Sequence, residues 1–565
     1  MSRGPAHPSW FLGIVRKREP ISFEPRSLRS MGTHTTLVRA DNAVLFTAPP
    51  GPTLQHSMDA AASHVTSGTV LDTDHASRAV LGQFASVTVE DNTFRLRTDP
   101  NGLRSIYVHD GPDALVFSTH LHLLALVTGG LRLNVDAFAS HWLCHNGFTG
   151  ESLAADTQRL HAGAGLDIDL RDSARAAAVA APEPQPEPEP TSDLDDDRVF
   201  DVLSGKRLAL ALSGGLDSRF LLSILLRRRA DVHPFVFGDE KDADVAAARM
   251  VCRRAGLPLT VIPNASLSHL LDTGYLDIFA RDTFCISPIT AAQHLCQYDR
   301  VLAALSPDVI VDGGFGEIGR GGYYRKLRLL LFADRLDMRG LLGKVLRPRN
   351  AEIDTYFHVL STLRCQVFRE DVARRMSHAA RNQVERIAEE LRQAPLSAGV
   401  DHLAARYRRA NFYGHGQGWI DSFAPSYMPF AQNAYIGGAL SRPFTARGGA
   451  YAHKARIYRN SPSLTRSPLA FGSGLAHFHV PFPVWTPGRA LRKEPHASAL
   501  STPRMTEFLS DTYLADGADL HPLCDAGAVR QTIQSFLDAP TESQAIRVSW
   551  FLAFDRWTRM TGMGG

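Results

Sequence analysis

At 565 residues the chain is too long for one ordinary hydrophobic core, and two to four domains are expected. Its 44% hydrophobic and 21% charged residues sit near globular averages, which excludes bulk disorder, and a net charge of +3 with both signs interspersed speaks against a nucleic-acid or membrane surface. No apolar run approaches the roughly 20 residues of a membrane helix, the stretch around Trp10–Leu12 is too short for a signal-peptide core, and the six cysteines show neither a C-x-x-C pair nor disulfide spacing, so a reduced, cytoplasmic protein is expected.

Residues 35–170 carry short β-rich runs, at Ala79–Glu90, Phe94–Thr98, Ser105–His109 and Ala114–Ser118, parted by Asp, Asn, Gly and Pro turns and with few helical patterns. They predict stacked antiparallel sheet. His141 and His145 stand four apart on a predicted helix, but Trp142 occupies the place where a zinc-protease pattern needs glutamate, so ordinary partly buried histidines are expected. From Ala177 to Asp197 an Ala-rich stretch runs into PEPQPEPEP and an acidic run, a composition that cannot bury apolar surface and reads as an interdomain linker.

Beyond it the rhythm turns to strand, helix, strand: Arg207–Leu212, a helix over 218–229, His233–Phe237, a helix over 242–255, and Leu259–Ile262. That alternation predicts a parallel α/β sheet. From about Tyr323 the pattern is mostly helical, with an amphipathic stretch over 372–391.

The segment most informative about chemistry is LALALSGGLDSRFLLSILL, residues 208–226, where an apolar strand ends in Ser213-Gly214-Gly215-Leu216-Asp217-Ser218 and an apolar helix follows. A tight polar turn is thereby set at the carboxyl end of a parallel strand, where a helix start offers backbone N–H groups and a positive dipole end to an anion. Two glycines permit close approach of phosphates, the Ser213 and Ser218 hydroxyls can donate to them, and Asp217 offers a hard oxygen to Mg2+. A plain capped strand-to-helix turn would need less than six consecutive matching residues. The Walker pattern is absent, and the isolated G-x-G-x-x-G over 314–319 is not continued by a βαβ unit.

SGGLDS resembles the pyrophosphate loop of the asparagine synthetase superfamily, whose members cleave ATP between the α and β phosphates. The resemblance implies ATP and Mg2+ as cofactors, with AMP and pyrophosphate as products. It extends to Phe235–Ala248, with nucleotide contacts implied near Gly238, and to DGGFGEIGRGGY over 312–323. There Glu317 falls on a second magnesium-binding carboxylate and Gly313 on a backbone contact to the nucleotide, while Gly314 replaces a family acid. Tyr427–Leu440 is similar to the stretch lining the acyl-acceptor cavity. The family lysine that meets the pentacovalent phosphate would be Lys493, with Lys454 the second candidate; a positive charge there would offset the charge growing on the α-phosphate. Arg320, Arg325, Lys326 and Arg328 could hold pyrophosphate or equally form a solvated helix face, and stay outside the implied site.

The first half also resembles the family, whose leading domain is an N-terminal-nucleophile (Ntn) glutaminase. Gly82-Gln83-Phe84-Ala85, Thr98-Asp99-Pro100-Asn101-Gly102, Ile106-Tyr107, Val116-Phe117-Ser118 and Leu160-His161-Ala162-Gly163 follow its landmarks in order. The implied fold is a degenerate glutaminase-like antiparallel β sandwich over 1–172, a linker over 173–198, and a parallel α/β ATP-pyrophosphatase domain with a helical extension over 199–565. Where the glutaminase has its nucleophilic cysteine, this chain has Leu12 within Phe11-Leu12-Gly13-Ile14, preceded by eleven residues, so glutamine hydrolysis is expected to be lost.

Such a ligase takes its amine from elsewhere. Relatives lacking the glutaminase cysteine include β-lactam synthetase and lasso-peptide cyclases, and an intramolecular amine has a high effective concentration, which favours macrolactam closure on a peptide. A precursor peptide and a maturation protease are then the implied partners, with no nucleic acid and no membrane. Amidation of another carboxylate with free ammonia, and a non-catalytic peptide-binding role, are the alternatives.

Overall fold

The computed structural model describes residues 9–17, 34–39, 43–49, 53–58, 62–72, 81–144, 147–171, 176–179, 197–321, 364, 366–390, 401–442, 447, 450–467, 469 and 496–564. The chain is mixed α/β, with two six-stranded antiparallel sheets and one five-stranded parallel sheet among these residues.

The first antiparallel sheet comprises β1 (Phe11–Arg16), β2 (Thr35–Arg39), β3 (Ala43–Thr47), β8 (Tyr107–Asp110), β9 (Ala114–Ser118) and β11 (Gln158–Arg159), in the order β11-β8-β9-β1-β3-β2. The second holds β4 (Leu54–Met58), β5 (Ala62–Asp72), β6 (Leu81–Glu90), β7 (Thr93–Thr98), β12 (Gly165–Asp169) and β13 (Ala176–Val179), in the order β13-β12-β7-β6-β5-β4. Asp91 and Asn92 close the β6–β7 hairpin with φ of 50° and 61°, the left-handed pair that a two-residue turn between twisted strands demands. The sheets meet through Phe94 of β7 and Phe117 of β9, whose rings sit edge to face at 5.3 Å. Gly13 of β1 lies directly under that Phe117 ring, leaving no room for a Cβ.

Three features differ from the expectations. A helix at Leu121–Thr128 stands in the half expected to have few helical patterns, beside Val135–Leu143, which carries the helix expected at His141. Four residues of the expected linker, Ala176–Val179, pair with β12 as a sheet edge, because backbone hydrogen bonding to an open edge does not depend on apolar side chains. The chain end also returns to the beginning: the helix Glu542–Thr561, opened by a capping box of Thr541 and Gln544, stacks Trp557 on Phe138 at 5.6 Å. Its following residues Met563–Gly564 then pair with Leu131–Arg132 as β19 and β10. The N-terminal half and the C-terminal helices therefore share one core.

The parallel sheet is β14 (Arg207–Ala211), β15 (Asp231–Phe237), β16 (Thr260–Ile262), β17 (Val309–Val311) and β18 (Ser426–Tyr427), in the order β16-β15-β14-β17-β18. The helix Leu216–Arg227 buries Phe220, Leu221, Leu222, Ile224 and Leu225 in the cluster formed with β14 and β17. The N-terminal landmarks dock on the far edge of this sheet. Gln83 donates to Ser426 of β18, Gly82 N and Asn101 Nδ2 both donate to Gln432 Oε1 at 3.1 Å, and Arg104 pairs with the buried Asp421. No helix among the described residues is long and apolar enough to cross a membrane.

His141 is an ordinary buried histidine, its Nε2 donating to the Phe284 carbonyl at 2.8 Å, while His145 lies outside the described residues. Burial, then the charge of Arg364, push the His141 pKa down to about 3; burial, then Arg320 and Arg442, do the same for His453. The unfolded chain, with histidine near 6.5, therefore takes up protons first. The stability these groups contribute is whole above about pH 6.5 and is lost as pH falls toward 3, at about 1.4 kcal/mol per pH unit for each. Thermal melts followed by circular dichroism are expected to show the midpoint falling from about pH 7 to 5, and His141→Gln, which keeps a donor, is expected to flatten that fall.

Candidate functional site

In the parallel sheet the chain runs from β14 outward to β15 and β16, then returns to the other side of β14 with β17. The direction of progress therefore reverses between β14 and β17, and the crevice beyond the carboxyl ends of those strands is where open parallel sheets bind ligands. SGGLDS leaves β14 and residues 312–321 leave β17, so these two segments face each other across this crevice. Gly238 follows β15 and Met428 follows β18, placing all four segments at one end of the sheet.

Gly215 is the N-cap of helix Leu216–Arg227 and brings no capping side chain, which leaves the first N–H groups of the helix for an anion. The turn before it is held internally. Gly214 N–H donates to Asp244 Oδ1 at 2.7 Å, Gly215 N–H donates to Ser213 Oγ at 3.2 Å, and Ser218 Oγ–H donates to the Ser213 carbonyl at 3.1 Å. Ser213 Oγ thus accepts from the turn's own backbone while Ser218 Oγ donates to it, as serines in short turns commonly do. Asp244, in the first turn of helix Ala243–Ala255, has no counterpart in the sequence expectations.

The β17 loop presses directly on this turn. A Cβ on Gly313 would lie 3.2 Å from Ser218 N, and one on Gly316 would lie 2.6 Å from Asp217 Cγ, so glycine is what permits the contact. Between them Phe315 is fully buried at φ 67°, an uncommon conformation for an aromatic residue and one that packing must sustain. Gly314 stands where the resemblance implies an acid, but a Cβ there would meet Asp312 Oδ1 at 2.8 Å and Met428 Cε at 2.9 Å.

Asp217 and Glu317 are brought together by Arg320. Its Nε donates to Asp217 Oδ1 at 2.7 Å and its Nη2 lies 3.9 Å from Glu317 Oε1, while the Tyr413 hydroxyl donates to Glu317 Oε2 at 2.9 Å. Burial works against the Arg320 charge, but Asp217 and Glu317 outweigh it and raise its pKa. Asp312, bonded to Gly314 N–H at 2.6 Å, is raised by burial and by the neighbouring Glu317 and Asp217 charges. Tyr413 ends a π-helix, Ala404–Tyr413, whose wide turn no periodicity in the sequence announces.

Of the residues expected at the site, Ser213, Gly214, Gly215, Leu216, Asp217, Ser218, Gly313 and Glu317 are gathered at the crevice. Gly238 lies one strand away, at φ 132° with its N–H on the Ile262 carbonyl. Lys493 lies outside the described residues, as do Arg325, Lys326 and Arg328; Lys454 is half-buried on helix Tyr451–Asn460. Arg320 stayed outside the implied site because its basic cluster reads equally well as a solvated helix face, and its place follows from two carboxylates that only the sheet order makes neighbours.

Among the described residues, no three or more His, Cys, Asp or Glu side chains are arranged to cage a metal. Two carboxylates beside an uncapped helix start would fit Mg2+ carried by phosphates, since that ion takes one or two protein carboxylates and completes its shell from phosphate and water.

No family profile matches the sequence, and no curated protein matches it. Among solved structures the chain is similar to glutamine phosphoribosylpyrophosphate amidotransferase from B. subtilis, complexed with ADP and GMP, at 13% identity and a TM-score of 0.18. The match covers 46% of this chain and 60% of that one, and at that TM-score it carries no weight for fold or function.

Proposed function

We propose that the chain is an ATP-dependent, AMP-forming carbon–nitrogen ligase of the asparagine synthetase superfamily, with a degenerate glutaminase-like sandwich ahead of an ATP-pyrophosphatase domain. The observation that carries this reading is the pairing of Asp217 and Glu317 across the uncapped helix start at the point where the parallel sheet reverses. In it the open helix start binds the pyrophosphate portion of ATP, Gly214-Gly215 lets the phosphates come close to the backbone, and Asp217 and Glu317 would hold Mg2+. The metal supplies charge neutralisation at the phosphates when bound. Tyr413 orients Glu317, and Arg320 adds a cation to the charge that develops as the α-phosphate is attacked by a carboxylate.

The amine comes from within the substrate in this reading. Leu12 is fully buried in the middle of β1, paired to Phe46 and Ser118, and supplies no nucleophile. Burial pushes the thiols of Cys252 and Cys285 up to about 12, far from the thiolate that glutamine hydrolysis needs. A peptide that presents both carboxylate and amine is therefore the favoured substrate, closed to a macrolactam in the cytoplasm, with a precursor peptide and a maturation protease as partners.

The test is incubation with Mg2+, ATP and peptides bearing a free N-terminal amine and an internal Asp or Glu, followed by assay of AMP, pyrophosphate and peptide mass. AMP formation with loss of one water from the peptide is expected. AMP formed only with ammonia and a small acid would mean an amidating enzyme, and bound ATP with no AMP a non-catalytic protein. Gly316→Ala is expected to lower AMP formation about 10²-fold without unfolding the chain, because the added methyl drives the Glu317 loop off Asp217; steady-state kcat on the active peptide measures it.

A further inference from the structure

The Asp217 and Glu317 carboxylates face each other with one cation shared between them, the guanidinium of Arg320. Its backbone is pinned, since Gly319 leaves no space for a Cβ against the Tyr435 hydroxyl at 2.4 Å and His453 Cε1 at 2.7 Å. The side chain is not: it is 30% exposed and reaches the carboxylates on a long, rotatable stem. The anchor is therefore fixed while the charged end has a way out to solvent.

Among the described residues Arg320 is thus the guanidinium that the two carboxylates share, with the Asp312 carboxyl beside them. A divalent cation entering beside the guanidinium would have to sit next to like charge in a partly desolvated crevice, and entering in its place would strand Arg320 without its acceptors. Nucleotide phosphates remove both obstacles. They bring negative charge for the metal and, as planar-matched acceptors, a second place for the guanidinium to bond.

We infer that Arg320 is the resident counter-ion of the Asp217–Glu317 pair, keeping free divalent metal out of the site until nucleotide phosphates take the guanidinium over. The release half rests on the nucleotide reading proposed above; the exclusion half does not. Binding is thereby ordered, with the metal arriving on the nucleotide rather than before it.

The experiment is titration of Mn2+, followed by the electron paramagnetic resonance of the free ion, for wild type, Arg320→Gln, Arg320→Lys and the double variant Arg320→Gln/Asp217→Asn, with folding checked by circular dichroism. Without nucleotide, Arg320→Gln is expected to bind Mn2+ about tenfold or more tighter than wild type, Arg320→Lys to stay near wild type, and the double variant to lose the gain. With α,β-methylene ATP added, wild type is expected to tighten toward the level of Arg320→Gln. Equal Mn2+ affinity of wild type and Arg320→Gln in the absence of nucleotide overturns the inference, as does a gain that survives Asp217→Asn. Should Arg320→Gln not fold, Mn2+ binding by wild type alone that matches its binding with the nucleotide analogue overturns it instead. A gain in Arg320→Gln with no effect of the analogue on any variant supports the exclusion and overturns the nucleotide reading, so the two failures are separable.

Discussion

Asparagine in place of Asp217 is expected to lower AMP formation about 10³-fold while leaving the fold intact. The carboxylate sits at the start of helix Leu216–Arg227, directly under the glycine loop that carries Glu317, so under the proposed chemistry it is the ligand that ties the metal to the pyrophosphate end of ATP. The amide keeps the size and one acceptor for the Arg320 Nε–H but removes the charge that attracts both cations. Its side chain is only 17% exposed, yet no buried apolar contact is lost, and the thermal midpoint is expected to shift little. Single-turnover AMP formation at saturating peptide, beside a melt of each protein, separates a chemical defect from a folding one. Comparable turnover by wild type and Asp217→Asn would remove Asp217 from the mechanism.

A second large effect, this time on stability, is expected at Asp401. It is 5% exposed and Arg447 3% exposed, and the two form a bidentate pair, Nη1 to Oδ1 at 3.1 Å and Nη2 to Oδ2 at 2.7 Å. Arg447 also donates to the Ile318 carbonyl at 3.3 Å, next to Glu317, and to the Arg442 carbonyl at 3.1 Å. Asp401→Ala leaves a buried guanidinium with no carboxylate in this pair, at a cost of about 3–5 kcal/mol. The double variant Asp401→Leu/Arg447→Met is expected to recover most of that, because removing both charges abolishes the desolvation penalty as well as the attraction. Urea unfolding of the three proteins measures it. Since Arg447 braces Ile318, activity is expected to fall in the double variant even where stability returns, because the brace on the Glu317 loop is absent there.

What the amino-acid order determined by itself was local. Alternating apolar strands and helices announced the parallel sheet, β-rich runs parted by Asp, Asn, Gly and Pro announced the antiparallel sheets, and SGGLDS announced a polar turn between a buried strand and a helix. These signals depend on a residue and its near neighbours, so periodicity and turn chemistry suffice to read them. Resemblance added Glu317, but no local pattern could show that it would meet Asp217, since that follows from β17 lying beside β14 rather than beside β16.

The tertiary structure alone decided the rest. It placed Arg320 between two carboxylates, bonded Ser213 and Ser218 into the turn's own backbone, and brought Asp244 and Tyr413 to the site from a helix start and a π-helix end. It also packed Gly314 against the side chains of Asp312 and Met428 and returned the last helix to the N-terminal core through Phe138 and Trp557. Each of these is a contact between segments far apart in the chain, or a clearance measured in three dimensions. Strand order and packing set such distances, and the pattern of residues along any one segment does not encode them.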